Sequence, residues 1–349
     1  MREVRELIDL LAERHTLSLG QYEELVGSYT PELAEYAAKR AVAARRVVYG
    51  DDVFIRGLIE ISSYCRNDCL YCGLRRSNQS AERYRLSPET ILACCERGYE
   101  LGFRTFVLQG GEDAALADTL LCKIVSAIKA AHPDCAVTLS LGERTRASYQ
   151  ALFDAGADRY LLRHETADHA HYARLHPSEL TLEHRLACLR DLLEIGYQVG
   201  CGFMVGSPGQ TASTLAEDLK LVEELRPAMC GIGPFVPHHA TPFAGEPAGS
   251  VALTCYLLSL LRLIEPSLLL PATTALGTLD EHGRERGMLA GANVVMPNLS
   301  PMDVRKKYEL YDNKAHAGSE AAEGLAELRR SMGEIGCRVV VDRGDVRRR

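Results

Sequence analysis

Cys65, Cys69 and Cys72 lie close together in the stretch YCRNDCLYCGLR, with the spacing C-x3-C-x2-C. Thiolates at such short intervals are typical ligands of zinc and of iron–sulfur clusters. A structural zinc site needs four ligands, and no second C-x2-C or histidine pair follows at a suitable spacing. A [4Fe–4S] cluster has four irons, so three cysteines leave one iron without a protein ligand. The spacing therefore predicts an iron–sulfur cluster whose open iron can bind a small bidentate molecule.

Eight β-rich runs alternate with amphipathic helical runs after Gly50, and the first of them leads directly into the cysteine loop. The runs begin at residues 53, 105, 136, 159, 198, 229, 269 and 293. Eight strands that alternate with helices predict an α/β fold whose parallel sheet closes into a TIM-type (β/α)8 barrel. An open, doubly wound sheet is the alternative. In a barrel the cysteine loop would lie at the C-terminal face, where barrel enzymes carry their active sites.

Helical segments are predicted at both ends of the barrel. Residues 1–50 carry apolar residues at a period near 3.6 and are predicted to be an N-terminal helical extension that packs on the barrel. The barrel is predicted to span residues 51–312, and residues 313–349 to form a short C-terminal helix and a tail. The last residues, DRGDVRRR, are predicted to be a solvated end.

Polar residues stand at the predicted C-terminal ends of several strands, although a barrel interior is usually filled by Val, Ile and Leu. In RYLLRHE, Arg163 and Glu165 are two residues apart and therefore share one face of a strand. If that face is the interior, the two opposite charges could hold a charged ligand. Hydroxyls add an anion-binding rim, from two threonines that end the seventh strand and two tyrosines at helical spacing: Thr273, Thr274, Tyr308 and Tyr311.

The cysteine loop, with Tyr71 directly before Cys72, resembles the signature of the radical S-adenosylmethionine (SAM) superfamily. The resemblance implies that Cys65, Cys69 and Cys72 hold a [4Fe–4S] cluster and that the amino and carboxylate groups of SAM bind its open iron. It also implies that an external electron donor reduces the cluster, after which SAM is split into methionine and a 5′-deoxyadenosyl radical. A dry, enclosed barrel would keep that radical beside one substrate.

The same resemblance implies which residues contact SAM. LQGGED, at the end of the second strand, is similar to the segment that receives the amino group of SAM, and GFMVGSPGQT to the segment along its ribose and adenine. Arg185 follows the fourth strand in a helix and is implied together with Glu165. The full set implied for the cofactor is Tyr71, Gln109, Gly110, Ser140, Glu165, Arg185 and Met204.

A narrower resemblance joins several segments between residues 50 and 312, among them VTLSLGE, LLRHETA and PATTALGT. They resemble the HydE family of [FeFe]-hydrogenase maturases. The family implies an iron complex carrying CO, cyanide and cysteine as substrate, made by the maturase HydG, and a product that moves towards the scaffold HydF. It implies a radical attack on the cysteine sulfur of that complex, in a cavity lined by Arg163, Thr273, Thr274, Met296, Tyr308 and Tyr311.

One departure from this family concerns a second cysteine-ligated cluster, which many members carry after the barrel. Cys337 is the only cysteine beyond residue 300, so we expect no second cluster in that place. The sequence predicts no role for Cys337.

Composition limits the partners. The formal net charge is −7, and because a negative surface repels phosphate backbones we expect no nucleic-acid partner. No window of 18 uncharged apolar residues occurs, and the N-terminus lacks the apolar core of a signal peptide. We therefore expect no membrane partner and a soluble, cytoplasmic protein, in which the twelve cysteines are reduced or bind metal.

Two other functions remain open at the level of sequence. A radical SAM mutase that acts on an amino acid, similar to methylornithine synthase, would use the same cysteine loop and the same charged residues. A non-enzymatic iron–sulfur carrier would need the cysteines but no SAM cleavage. Sulfur insertion of the biotin synthase type is disfavoured, because Cys135, Cys201 and Cys230 are predicted near the starts of strands.

Six histidines form two groups, one in residues 164–176 and one at residues 238–239. None has a carboxylate partner at a recognisable spacing, so all six are expected to be loop and surface residues: His164, His169, His171, His176, His238 and His239.

Overall fold

The computed structural model describes residues 2–315 and 322–348. The chain begins with three helices, α1 (Arg2–Arg14), α2 (Leu19–Gly27) and α3 (Pro31–Tyr49). Ser18 starts α2 by accepting a hydrogen bond from the backbone N–H of Gln21, and Thr30 caps α3 with Pro31 as its first residue. This confirms the predicted N-terminal helices.

Eleven strands are found in the described residues, and every strand pair is parallel. They are β1 (Asp52–Ile55), β2 (Gly57–Ser62), β3 (Thr105–Gly110), β4 (Ala136–Ser140), β5 (Arg159–Leu161), β6 (Gln198–Cys201), β7 (Met204–Val205), β8 (Met229–Cys230), β9 (Gly233–Pro234), β10 (Val294–Val295) and β11 (Arg338–Val340).

The remaining helices connect the strands or follow the barrel. They are α4 (Pro88–Glu100), α5 (Asp118–Ala131), α6 (Arg146–Asp154), α7 (His169–Leu175), α8 (Leu182–Ile195), α9 (Ala212–Leu225), α10 (Val251–Ile264), α11 (Thr274–Leu279), α12 (Gly283–Leu289), α13 (Met302–Arg305) and α14 (Leu325–Glu334). The N-terminal helices cover the outside of this layer, since α3 packs on α10 and α2 on α9.

The strands form a closed circuit, which confirms the predicted (β/α)8 barrel. Six strands pair in the order β2-β3-β4-β5-β6-β8. Single bridges continue the circuit from Met229 to Leu269 and from Pro271 to Val294. β10 then pairs with β1, which runs on into β2. The predicted seventh strand consists only of these bridges, because Pro271 has no N–H to donate to a ladder.

The C-terminal tail is not a solvated end, so that prediction is wrong. β11 pairs with β1, and the residues after it lie against the lower end of the barrel. The carbonyl of Arg343 accepts hydrogen bonds from Thr105 Oγ1 (2.7 Å) and Arg159 Nη2 (2.9 Å). The tail closes the end of the barrel opposite to the cysteine loop. The division of the chain into domains at residues 50 and 312 stays a prediction.

In the described part of the chain, no helix combines the length and the apolar character needed to cross a membrane.

Candidate active site at the barrel mouth

The cysteine loop follows β2 at the C-terminal end of the barrel, as predicted. Backbone hydrogen bonds tie it to neighbouring segments, from Leu70 N to Leu175 O (2.9 Å) and from Gly73 N to Leu310 O (2.8 Å). Inside the loop, Asp68 accepts a hydrogen bond from Arg75 Nε at 2.9 Å. The loop is therefore held in shape by contacts that do not involve the three thiols.

The three thiols suit a cluster better than a single ion. Cys65, Cys69 and Cys72 line one cavity, yet their sulfur atoms are not gathered within 4.8 Å of one another, as the ligands of one ion would be. Burial raises the pKa of Cys72 to about 12 and raises the pKa values of Cys65 and Cys69. The thiols are protonated near neutral pH, so a metal centre must displace their protons to bind.

The cavity below the loop has a volume of about 330 Å³. All sixteen candidate residues of the sequence analysis line it, although they come from segments spread between residues 65 and 311. They are Cys65, Cys69, Tyr71, Cys72, Gln109, Gly110, Ser140, Arg163, Glu165, Arg185, Met204, Thr273, Thr274, Met296, Tyr308 and Tyr311. The structure brings them together, while the role of each stays a prediction.

Arg163 and Glu165 share the cavity for a different reason from the one predicted. β5 ends at Leu161, and Glu165 adopts a left-handed backbone with φ of +66°. The backbone N–H of Glu165 donates to Gly202 O (3.0 Å), and its carbonyl accepts from Met204 N (3.2 Å). Such a backbone costs about 1 kcal/mol or more for a residue with a Cβ, and strain of this kind is common at functional sites.

These two side chains still have polar atoms without hydrogen bonds. Arg163 Nη2 and Glu165 Oε2 form an ion pair at 3.0 Å, but within the described residues neither atom makes a hydrogen bond, nor does Arg163 Nε. Buried polar atoms need partners. A polar cofactor or substrate in the cavity would supply them, so the residues present fit a charged ligand such as SAM.

Arg185 is buried at the cavity wall. Its Nε lies 2.5 Å from Glu143 Oε1, and its Nη1 donates to the carbonyl of Arg163 at 2.6 Å. Burial alone would lower the pKa of Arg185, but Tyr172 and Glu143 outweigh it and raise the pKa. The guanidinium therefore stays charged beside the predicted cofactor residues.

Tyr71 and Met204 form the apolar part of the wall. Met204 packs in a buried cluster with Leu175 and Phe235, and Tyr71 lies against that cluster. The Tyr71 ring packs edge-on against His176, and its hydroxyl is 3.3 Å from His176 Nε2. An aromatic and a thioether side chain here suit the flat, apolar face of a nucleobase.

A side chain would clash with its surroundings at Gly111 but not at Gly110. A Cβ on Gly111 would come within 2.3 Å of the Tyr64 carbonyl, whereas a Cβ on Gly110 would meet only ordinary contacts near 3.4 Å. Gly111 thus lets the turn after β3 pack directly on the cysteine loop.

The helical face predicted for Tyr308 and Tyr311 is absent. α13 ends at Arg305, and both tyrosines lie in the irregular segment that follows it. Tyr308 is buried, and its hydroxyl accepts a hydrogen bond from Gln109 Nε2 at 3.4 Å. The segment is held over the barrel mouth by the bond between Leu310 and Gly73, so tertiary contacts rather than helix geometry bring the tyrosines to the cavity.

The predicted surface position is wrong for four of the six histidines, although three of these four lie in irregular segments as predicted. His164, His171, His176 and His238 are buried, and only His169 and His239 are exposed. Four of the six also have a carboxylate within 4 Å, namely Asp218 for His164, Glu183 for His169, and Asp312 for both His238 and His239. His164 Nε2 is 3.1 Å from Asp218 Oδ1, and His239 Nδ1 is 2.7 Å from Asp312 Oδ1. No short spacing in the sequence indicates the pairing of His164 with Asp218 or of His239 with Asp312.

His164 and Asp218 fix the segment that carries the cavity charges. Both side chains are fully buried, and Asp218 Oδ1 also accepts the backbone N–H of Ala167 at 2.7 Å. The backbone N–H of Gly202 reaches His164 Nδ1 at 3.4 Å. The side chain of His164 therefore anchors the backbone between Arg163 and Glu165 to Gly202, which follows β6, and to Asp218 on α9.

We expect His164 to keep its proton up to about pH 9. Burial lowers the pKa of His164, but hydrogen bonds to Asp218 and Cys201 outweigh it and raise the pKa to about 9, while burial raises the pKa of Asp218 to about 6. These values predict an ionic pair between about pH 6 and pH 9, in which His164 Nδ1 carries a proton and no longer accepts the N–H of Gly202. Asp218→Asn removes the attraction and keeps the burial, so the pKa of His164 should fall by more than about one unit.

Histidine-selective NMR of the metal-free chain measures this shift, with His164→Gln to assign the signal. The pKa of His171, whose ring contacts Thr166 and Ser207 and not Asp218, should stay constant. An unchanged pKa of His164 in the Asp218→Asn variant would show that the pair is not ionic.

Comparison with known proteins gives the following matches. The model of the Radical SAM superfamily matches residues 59–222. The [FeFe] hydrogenase maturase subunit HydE of Thermotoga maritima is 44% identical over 310 residues, which cover 89% of this chain and 88% of that protein. A 3-methylornithine synthase of Methanosarcina acetivorans is 28% identical over 301 residues, covering 85% and 82%.

Solved structures show the same architecture. Methylornithine synthase (PylB) superposes with a TM-score of 0.84 at 25% identity, over 96% of this chain and 97% of that one. The [FeFe]-hydrogenase maturase HydG superposes with a TM-score of 0.78 at 20% identity, over 96% and 75%. At that identity the likeness to HydG concerns the fold alone.

Proposed function

Because the chain belongs to the radical SAM superfamily, in the family of the Thermotoga maritima maturase HydE, we propose that it matures the active-site cluster of an [FeFe]-hydrogenase. The observation that carries this proposal is the 44% identity to HydE, which extends over 89% of this chain. The chain is a radical SAM enzyme, and its cofactors are a [4Fe–4S] cluster and SAM. The carrier alternative is therefore set aside.

Cys65, Cys69 and Cys72 would hold the cluster, and when bound the two cofactors supply a 5′-deoxyadenosyl radical. The cofactor side of the cavity has the groups that SAM requires. Arg185 and Glu165 offer charges to the carboxylate and ammonium groups, and the apolar cluster around Met204 suits the adenine.

Exclusion of water is the second task of the protein, since the radical must meet only its substrate. The segment after α13 covers the barrel mouth. It is fixed by the hydrogen bond from Gly73 N to Leu310 O and by the one from Asp312 N to Pro237 O at 3.1 Å. At the other end of the barrel the C-terminal tail closes the interior.

The substrate we propose is an iron complex with CO, cyanide and cysteine, made by HydG, and its cysteine sulfur is the atom attacked. The product would move to HydF, and an external electron donor would reduce the cluster. The far side of the cavity supports an anionic, polar substrate. Arg163 lines it together with the hydroxyl-bearing residues Thr273, Thr274, Tyr308 and Tyr311, and Met296 adds an apolar contact.

A radical mutase that acts on an amino acid is the second candidate. It is favoured by the superposition on methylornithine synthase, which covers 97% of that chain with a TM-score of 0.84. The sequence identity of 25% is, however, far below the 44% to HydE. The maturase therefore remains the first proposal.

We expect the anaerobically reconstituted chain, with dithionite and SAM, to form 5′-deoxyadenosine and methionine. It should also restore hydrogenase activity in a strain that lacks its own HydE but retains HydG and HydF. Hydrogen evolution by that strain is the measurement, and a strain carrying the empty vector is the control. Failure to restore activity, together with formation of methylornithine from lysine, would favour the mutase instead.

A further inference from the structure

A buried ion pair in the cavity was not predicted from the sequence. Glu60 lies on β2, inside the barrel, and is fully buried. Lys314 follows the barrel, and its Nζ forms an ion pair with Glu60 Oε1. The two residues are 254 positions apart, and both line the cavity. Removing a charge from water costs free energy, so a charged pair in a barrel interior needs a physical reason.

The pair is held in place on both sides. Asn298 Nδ2 donates to Glu60 Oε2 at 2.9 Å, and Asn298 Oδ1 accepts the N–H of Ser300 at 2.8 Å, which sets the orientation of the amide. Lys314 Nζ also donates to the carbonyl of Tyr308 at 3.1 Å and lies 4.8 Å from the centre of its ring. The two charges thus have fixed positions before any ligand binds, which lowers the entropy cost of binding.

This pair is separate from the arginine–carboxylate pairs of Arg163 and Arg185. Glu60 lies on β2 and Arg163 follows β5, and β3 and β4 stand between them in the sheet. Arg163 is already paired with Glu165, and Arg185 with Glu143. The cavity therefore presents a second, separate positive and negative charge on another part of its wall.

Stability alone does not account for such a pair. Replacing a buried ion pair with apolar residues of similar size is often neutral or stabilising. An ionised carboxylate can accept about four hydrogen bonds, and the side chain of Glu60 accepts two from the partners described above. Glu60 can therefore accept hydrogen bonds from a further cation, while Lys314 offers the opposite charge beside it.

We propose that Glu60 and Lys314 form the subsite for the α-amino-acid part of the substrate. Glu60 takes the ammonium group and Lys314 takes the carboxylate group. The assignment deepens the proposed function and rests on it, because the proposed iron complex carries cysteine as a ligand. It also specifies how the substrate is oriented, with its amino-acid end against β2 and the segment after the barrel.

Binding of cysteine analogues tests the subsite without any need for hydrogenase maturation. L-Cysteine, N-acetyl-L-cysteine and cysteamine are titrated by calorimetry into the reconstituted enzyme with saturating SAM. N-acetylation removes the ammonium charge, and cysteamine lacks the carboxylate. We expect both analogues to bind the parent at least tenfold more weakly than L-cysteine.

Variants then assign each charge. Glu60→Gln should weaken L-cysteine binding at least tenfold and remove the preference over N-acetyl-L-cysteine. Lys314→Met should remove the preference over cysteamine, and Lys314→Arg should restore it within about threefold, since the charge is kept. The double variant Glu60→Leu/Lys314→Met keeps apolar volume in place of the pair and guards against a failure to fold. Lys307→Met, which breaks an ion pair with Glu82 in the same segment, is the matched control and should bind L-cysteine like the parent.

Two outcomes would overturn the subsite. One is a parent enzyme that does not distinguish L-cysteine from its two analogues. The other is a loss of SAM affinity in the double variant that equals its loss of L-cysteine affinity, which would mark the pair as a structural support only. If cysteine binding follows the expected pattern but the chain restores no hydrogenase activity, the proposed function fails and the amino-acid subsite stands.

Discussion

Replacing Cys69 with alanine is expected to lower the rate of 5′-deoxyadenosine formation by roughly 10³-fold or more, because two thiolates cannot hold the cluster in the geometry that three provide. Cys69 is the middle one of the three proposed ligands and is half-buried in the cavity wall. The loop itself should keep its shape, since it is tied by Asp68 to Arg75 and by its backbone bonds to Leu175 and Leu310. The loss therefore reports on chemistry and not on folding.

The measurement is the amount of 5′-deoxyadenosine formed after dithionite reduction, alongside iron content and the electron paramagnetic resonance spectrum. Cys122→Ala is the matched control, because Cys122 is also half-buried but lies on α5 away from the cavity lining. It should behave like the parent. A Cys69→Ala variant that carries the parent's iron and cleaves SAM at the parent's rate would contradict the assignment of the cluster to this loop.

Replacing Asp345 with asparagine is expected to lower the free energy of unfolding by about 2–3 kcal/mol at pH 7, because it leaves buried cations without their counter-charge. Arg159 is only 3% exposed, and its Nη2 lies 2.5 Å from Asp345 Oδ1. Arg56 is fully buried nearby, where it contacts the sulfur of Met229. The expected loss of unfolding free energy is smaller than for a wholly buried ion pair, because the side chain of Asp345 is 39% exposed and water screens its charge.

The effect should depend on pH in a defined direction. Burial raises the pKa of Asp345, but the hydrogen bond to Arg343 and the charge of Arg159 outweigh it and lower the pKa below its usual range. A lowered pKa adds stability above the unfolded value of about 3.9, and that stability is lost as the pH falls further. Urea unfolding at pH 7 should therefore separate parent and variant, and the difference should shrink below about pH 4.

Glu334→Gln is the control for a carboxylate in an exposed position of α14, and it should change stability by less than about 0.5 kcal/mol. A loss below about 1 kcal/mol for Asp345→Asn would mean that the tail rests on the barrel without neutralising its arginines.

Much of the site could be predicted because its elements have strong local signals. The cysteine spacing and the polar strand ends are each visible within a short stretch, and the alternation of strands and helices is visible along the chain after Gly50. A closed barrel brings the C-terminal ends of all strands to one face. Together with the family resemblance, which implied the cofactor residues and Met296, this geometry predicted that sixteen residues from distant segments share one cavity.

The features that were missed depend on pairs with no local signal. His164 pairs with Asp218, which is 54 positions away in the sequence, and Lys314 pairs with Glu60, which is 254 positions away. The left-handed backbone of Glu165 is likewise set by Gly202 and Met204 on the neighbouring segment. None of these contacts follows from helical or strand periodicity.

By itself the sequence determined the class of fold, and it predicted the ligands of the cluster and the edge of the sheet that would carry the chemistry, because these depend on short-range spacing and on patterns of apolar residues. Only the tertiary structure decided which buried charges neutralise one another: Asp345 in the tail with Arg159 in the barrel, and Lys314 beyond the barrel with Glu60 inside it. The reason is that a charge removed from water must find its partner in space, and chain position does not reveal which partner that is.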